Sequence, residues 1–115
     1  MRPERRLAAA ALVAAALVAG GCAAALRHAS PEDAVRVAPQ WPGTTVEDLE
    51  RGRRLYVRRC SGCHNVVLPR AFPAEKWPGL VDEMAEKARL GPSEREDVVR
   101  FLVAVASDDE GRAGR

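Results

Sequence analysis

One five-residue string, Cys60-Ser61-Gly62-Cys63-His64, constrains this chain more than anything else in it. The 115 residues hold three cysteines and two histidines. Chance would place this pattern in roughly one chain in 700 of that composition, so it calls for a chemical reason. A zinc site wants four ligands, and outside the string only Cys22 and His28 remain. A thioredoxin-like dithiol belongs beside a strand–helix alternation, which the sequence lacks. A plain disulfide leaves His64 without a role. Covalent haem attachment uses every residue. Two thiols add across the two vinyl groups on one porphyrin edge, which a short turn-forming spacing permits. The next residue is then carried beneath the ring, where an imidazole Nε2 can bind iron. On this reading Cys60 and Cys63 form the thioethers, His64 is the proximal iron ligand, and the cofactor is one haem c.

The N-terminus points to export. Residues 1–6, MRPERR, are basic, and residues 7–19 form an apolar run of 13 positions. A bilayer span takes about 20 residues, whereas a basic start, a short apolar run and small residues after it fit a secretory signal. Ala19-Gly20-Gly21-Cys22 then resembles a bacterial lipoprotein box. That resemblance implies cleavage before Cys22, a diacylglycerol thioether on its sulfur and acylation of its amine. The alternative is an ordinary signal peptide cut nearby, with Cys22 left as a free thiol. Cleavage before Cys22 would leave 94 residues carrying 15 basic and 15 acidic side chains. The formal charge of +2 therefore belongs to the signal, and nothing in it points to a nucleic-acid partner. Residues 23–43 show no sustained period and contain three prolines. They read as a flexible tether with a mean reach of roughly 25 Å.

Three helices are expected between residues 44 and 107, in an all-α domain. The first opens at Thr44 or Thr45, with Glu47 or Asp48 completing a capping box. Val46, Leu49, Tyr56 and Cys60, with Leu55, form its apolar stripe. The second runs from Trp77 or Pro78 to Leu90, with Trp77, Val81, Met84 and Ala88 on one face, and Gly91-Pro92 stops it. The third starts at Ser93, boxed by Glu96, and runs to about Ala106. Residues 108–115 read as a disordered tail. The core materials are thin: 47% of residues are apolar but only 4% aromatic, and Ile is absent. A domain this small buries little surface alone, so a large rigid apolar plate would complete it. Without haem such a domain is expected to be poorly folded.

Further residues resemble class I cytochromes c. Gly52-Arg-Arg-Leu55-Tyr56-Val-Arg-Arg-Cys60 is similar to the first helix of that family, in which the Gly lets the C-terminal helix cross closely. Phe101-Leu102 stands where the family packs an aromatic-Leu pair against that Gly. Trp77, Met84 and the run Leu90-Gly-Pro-Ser93 match the later part of small members, and the likeness covers residues 45–107. It implies a small three-helix domain wrapped around one covalently bound haem. It also implies Met84 as the distal iron ligand, 20 residues after His64, because His/Met ligation is common there and raises the potential. The bland reading of Met84 is a core filler. An open sixth position, Lys76, Lys87 or His28 are the other options. Tyr56 and Trp77 either contact the haem propionates or fill core. Pro69 either matches the proline that follows the motif in many cytochromes or marks a turn. A backbone carbonyl in residues 66–69 is expected to orient the His64 ring. Arg51, Arg53, Arg54, Arg58 and Arg59 are a solvated face, pair with propionates, or steer a partner.

No catalytic dyad, triad or metal-activated water site is legible. The sequence therefore predicts an electron carrier rather than an enzyme, exported and lipid-anchored on the periplasmic side of a bacterial membrane. Its partners would be a dehydrogenase, a quinol-oxidising complex or a terminal acceptor. A haem-based ligand sensor and a haem subunit of a larger oxidoreductase are the rival functions.

Overall fold

The structure, a computed structural model, describes residues 26–60 and 66–115. The expected signal segment, Cys22, Cys63 and His64 therefore lie outside the described residues. The described chain forms four helices: α1 (Pro31–Val37), α2 (Val46–Cys60), α3 (Trp77–Ala85) and α4 (Pro92–Ala113). Two short 3-10 turns, Pro69–Ala71 and Ala74–Lys76, link α2 to α3. No strand occurs among the described residues, and the all-α expectation holds.

The sequence of α4 makes it the central pillar. Eight of its residues between Val98 and Ala106 are buried. A helix apolar on every side must be surrounded, and α1, α2, α3 and both 3-10 turns pack on it. The crossing with α2 is the tightest of these. A Cβ built on Gly52 would lie 2.0 Å from the Asp97 carbonyl oxygen and 3.1 Å from the Phe101 Cβ. The two backbones therefore touch where the sequence reading placed them, with Phe101 and Leu102 fully buried beside the contact.

Local chemistry explains where the helices start. At α2, the Asp48 N–H donates to Thr45 Oγ1 at 3.1 Å, and the Thr45 N–H donates to Asp48 Oδ2 at 2.9 Å. This is the expected capping box, formed by the second of the two candidate pairs. Leu49, Leu55 and Tyr56 are buried along the expected stripe, while Cys60 is half-buried.

Two helix boundaries differ from the sequence reading. The second helix does not run regularly to Leu90. Its last turn closes with Leu90 N–H donating to the Ala85 carbonyl at 2.9 Å and Arg89 N–H to the Glu86 carbonyl at 3.1 Å. Arg89 sits at φ 55°. That is a Schellman closure with Arg89 in the left-handed position usually given to Gly. Gly91 is thus not the stop signal but the N-cap of α4, which begins at Pro92 rather than Ser93. The Glu94 carboxylate, not Glu96, accepts from the Gly91 N–H at 3.2 Å.

The tether expectation is overturned for the described residues 26–43. Leu26 and Val37 are buried. Ser30 caps α1 by accepting from the Asp33 N–H, and Asp33 accepts from the Ser30 N–H at 2.8 Å. Asp33 itself is fully buried. The Arg27 guanidinium donates to both its oxygens, at 2.6 and 2.9 Å, and to Asp108 at 3.1 Å. Arg36 donates to Asp33, to Asp108 and to the Ala104 carbonyl. Two arginines and two aspartates thus clamp α1 to α4. The same clamp corrects the disordered-tail reading: α4 stays helical to Ala113, and Glu110 accepts from the Ala74 N–H at 2.8 Å. Scattered prolines hid this because Pro31 occupies a first turn, where Pro is tolerated.

Burial alone would raise the Asp33 carboxyl, but bonds from Arg27, Ser30 and Arg36 outweigh it and hold the group at about 2. A carboxyl depressed on folding contributes stability above its unfolded pKa, and that contribution fades as the pH falls through the folded one. Asp33→Asn should cost about 2–4 kcal/mol at neutral pH in urea unfolding of the holoprotein. Its gap to wild type should narrow as the pH falls from 3.8 toward 2. Gly52→Ala should cost about 3 kcal/mol or more by the same measurement. Gly79→Ala, with nothing within 4 Å of the added Cβ, should be neutral or stabilising by up to about 1 kcal/mol.

Candidate haem site

α2 delivers Tyr56 and Cys60 one helical turn apart. Cys60 is the last residue of that helix, and burial pushes its thiol pKa up. The chain resumes description at Val66 and is then fastened by two aromatic donors. Tyr56 donates its hydroxyl to the Val67 carbonyl, and burial raises its phenol well above the ordinary range. Trp77, at 1% exposure, donates Nε1–H to the Pro69 carbonyl at 2.9 Å. The two rings meet edge to face at 6.2 Å, and Phe72 meets Trp77 the same way at 5.6 Å. Both polar atoms offered by the sequence as propionate contacts are thus committed to backbone carbonyls. They hold the segment that leaves the motif against α2 and α3. Pro69 is buried at the start of a 3-10 turn. His64, whose ring a carbonyl of this segment was expected to orient, is outside the described residues.

A second contact pins the helix ends together. Arg59 donates to the Arg89 carbonyl at 2.8 Å and the Ala88 carbonyl at 3.4 Å, and approaches Glu94 at 3.4 Å. A guanidinium on the last carbonyls of a helix is favourable for both hydrogen bonding and the helix dipole. It sets the residue preceding Cys60 against the end of α3.

Met84 lies one turn before Ala88. The expected stripe on α3 divides: Trp77 and Val81 are buried, Ala88 is half-buried and Met84 is 36% exposed. Met84 is therefore not the core filler of the bland reading. His28 does not turn back toward the motif; its Nδ1 lies 2.9 Å from Glu50. Lys76 and Lys87 are exposed.

Sequence reasoning missed several exposed apolar side chains. Among the described residues the large exposed hydrophobics are Val35 on α1, Val57 on α2, Val67 and Phe72 between α2 and α3, and Met84 on α3. Val57 stands one turn before Cys60, which is the signal that would have found it. Apolar area left in water costs about 25 cal/mol per Å², and a porphyrin plate is a cover of suitable chemistry. Cys60 and Met84 among the described residues, with Cys63 and His64 of the sequence, are of a chemistry that fits haem c. Cys60 and Cys63 would hold the ring edge, and His64 and Met84 the iron.

Most of the arginine run is structural. Arg51 pairs with Asp97 and Asp48, Arg54 with Glu47, and Arg53 with the carbonyls of Leu26 and Arg27. Arg58 is exposed.

Helices, crossing and attachment string together define a c-type cytochrome domain. Residues 56–114, about half the chain, match the family described as dihaem cytochrome c. The chain belongs to that family, which implies covalently bound haem c and haem-based electron transfer. No curated protein matches the chain. No solved structure matches it either.

Proposed function

We propose that this chain is a lipid-anchored monohaem c-type cytochrome that carries single electrons on the periplasmic side of a bacterial membrane. Haem iron supplies the reversible one-electron chemistry. The chain's own residues set where it sits and how it is tuned. Cys60 and Cys63 fix the ring edge, and His64 supplies the proximal nitrogen. Met84 supplies the distal sulfur, which favours the reduced state and raises the potential. The family name speaks of two haems, whereas this sequence holds one Cys-x-x-Cys-His string; one haem per chain follows from the string. Cys22 carries the lipid, and two or three acyl chains anchor firmly. No helix among the described residues is long and apolar enough to cross a membrane. The partners fitting this role are a membrane dehydrogenase, a quinol-oxidising complex or a terminal acceptor.

The single observation that carries the ligation is the exposure of Met84 one turn before the Arg59 contact. It favours a filled sixth position over the open one of a ligand sensor. The ferric protein should show the weak sulfur-to-iron charge-transfer band. Met84→Ala should abolish the band, lower the midpoint potential and let the ferrous protein bind carbon monoxide rapidly. Rapid carbon monoxide binding by the wild-type protein would instead support the sensor reading.

A further inference from the structure

We propose that the membrane anchor is a short leash that holds the domain against the lipid headgroups by one end, with the Cys60 end directed away. This rests on the reading of Cys22 as the lipidated residue. The described chain is fastened from Leu26 onward. Leu26 is 5% exposed, and Arg53 of α2 grips its carbonyl and that of Arg27. Glu50 accepts from the Ala29 N–H at 2.6 Å, and Arg27 bridges Asp33 and Asp108. Only Ala23, Ala24 and Ala25 separate Cys22 from this anchored stretch. Even fully extended, they let Leu26 stand at most about 14 Å from the lipid-bearing residue. The polar zone of one leaflet is itself about 6 Å deep, so the domain surface rests on or just above it.

The point of attachment decides which end faces down. Arg27 meets Asp108, near the C-terminal end of α4. Arg59, next to Cys60, meets Glu94 and the closing turn of α3, at the N-terminal end of α4. The rise of an α-helix puts Glu94 about 21 Å along α4 from Asp108, and Cys60 lies about 10 Å along α2 beyond Arg53, which holds Leu26. The hollow beside the attachment is polar and of mixed charge, with Arg27, Arg36 and Arg112 paired to Asp108 and with Glu32 and Arg115 at its wall, and a leash of this length brings it against the headgroups. The lipid surface is thus the occupant of this end. A freely swinging domain would reach soluble acceptors in any orientation. A domain on a three-residue leash works with redox partners in the same membrane, whose exchange site lies at the height of the Cys60 end.

Lipidated holoprotein in phospholipid vesicles has no free native thiol, so one introduced cysteine reports its own surroundings. Arg112→Cys should react with a bulky polyethylene-glycol maleimide several-fold more slowly than Glu86→Cys. The difference should vanish in detergent, and also on placing a flexible Gly-Ser insert of about ten residues between Ala25 and Leu26. Equal rates in vesicles, with mass spectrometry showing the lipid on Cys22, would overturn the short leash while leaving the anchor intact. Cys22 found unmodified by the same measurement would overturn both.

Discussion

Everything in this fold depends on two backbones touching. At Gly52 there is no room for a single methyl group, since the Asp97 carbonyl lies 2.0 Å from where it would go. That contact fixes the distance between α2 and α4, and hence where the C-terminal end of α2 delivers Cys60. Arg51 reinforces it by bonding Asp97 at 2.8 Å, on the residue whose carbonyl meets Gly52. Farther along α2, Arg59 ties the haem-attachment end to the closing turn of α3. The basic helix is less a docking face than a set of fasteners.

A chain with 4% aromatic residues spends them where the haem segment must be held. Tyr56 and Trp77 are buried, edge-to-face, and each donates to a carbonyl just beyond the motif. Between them they stop the return segment from drifting from α2 and α3. Val57, Val67, Phe72 and Met84 are exposed.

How much of this was legible in the residues depends on the range of the interaction. The Thr45–Asp48 cap and the Gly52 crossing were readable because each rests on a fixed local spacing or a distinctive residue. The end of α3 was misread because Arg89 takes a left-handed position that sequence assigns to Gly91. The N-terminal clamp was invisible for a different reason. Arg27 and Asp108 are 81 positions apart, and three prolines around a seven-residue helix look like a linker. Burying Asp33 between two arginines is a tertiary event with no periodic trace. The exposure of Val57 and Val67 escaped because single valines near a helix end do not stand out from core valines.

The central claim is that the cysteines of the string are consumed by one haem that completes the domain. The most direct test is the intact mass of the chain after export from a host competent in c-type haem attachment. The account predicts the mass of the processed, lipid-bearing polypeptide plus one haem, the haem being retained under denaturing conditions and lost when Cys60 and Cys63 are both replaced by alanine. A chain lighter than the reduced polypeptide by two hydrogens, with Cys60 and Cys63 joined to each other, would contradict it.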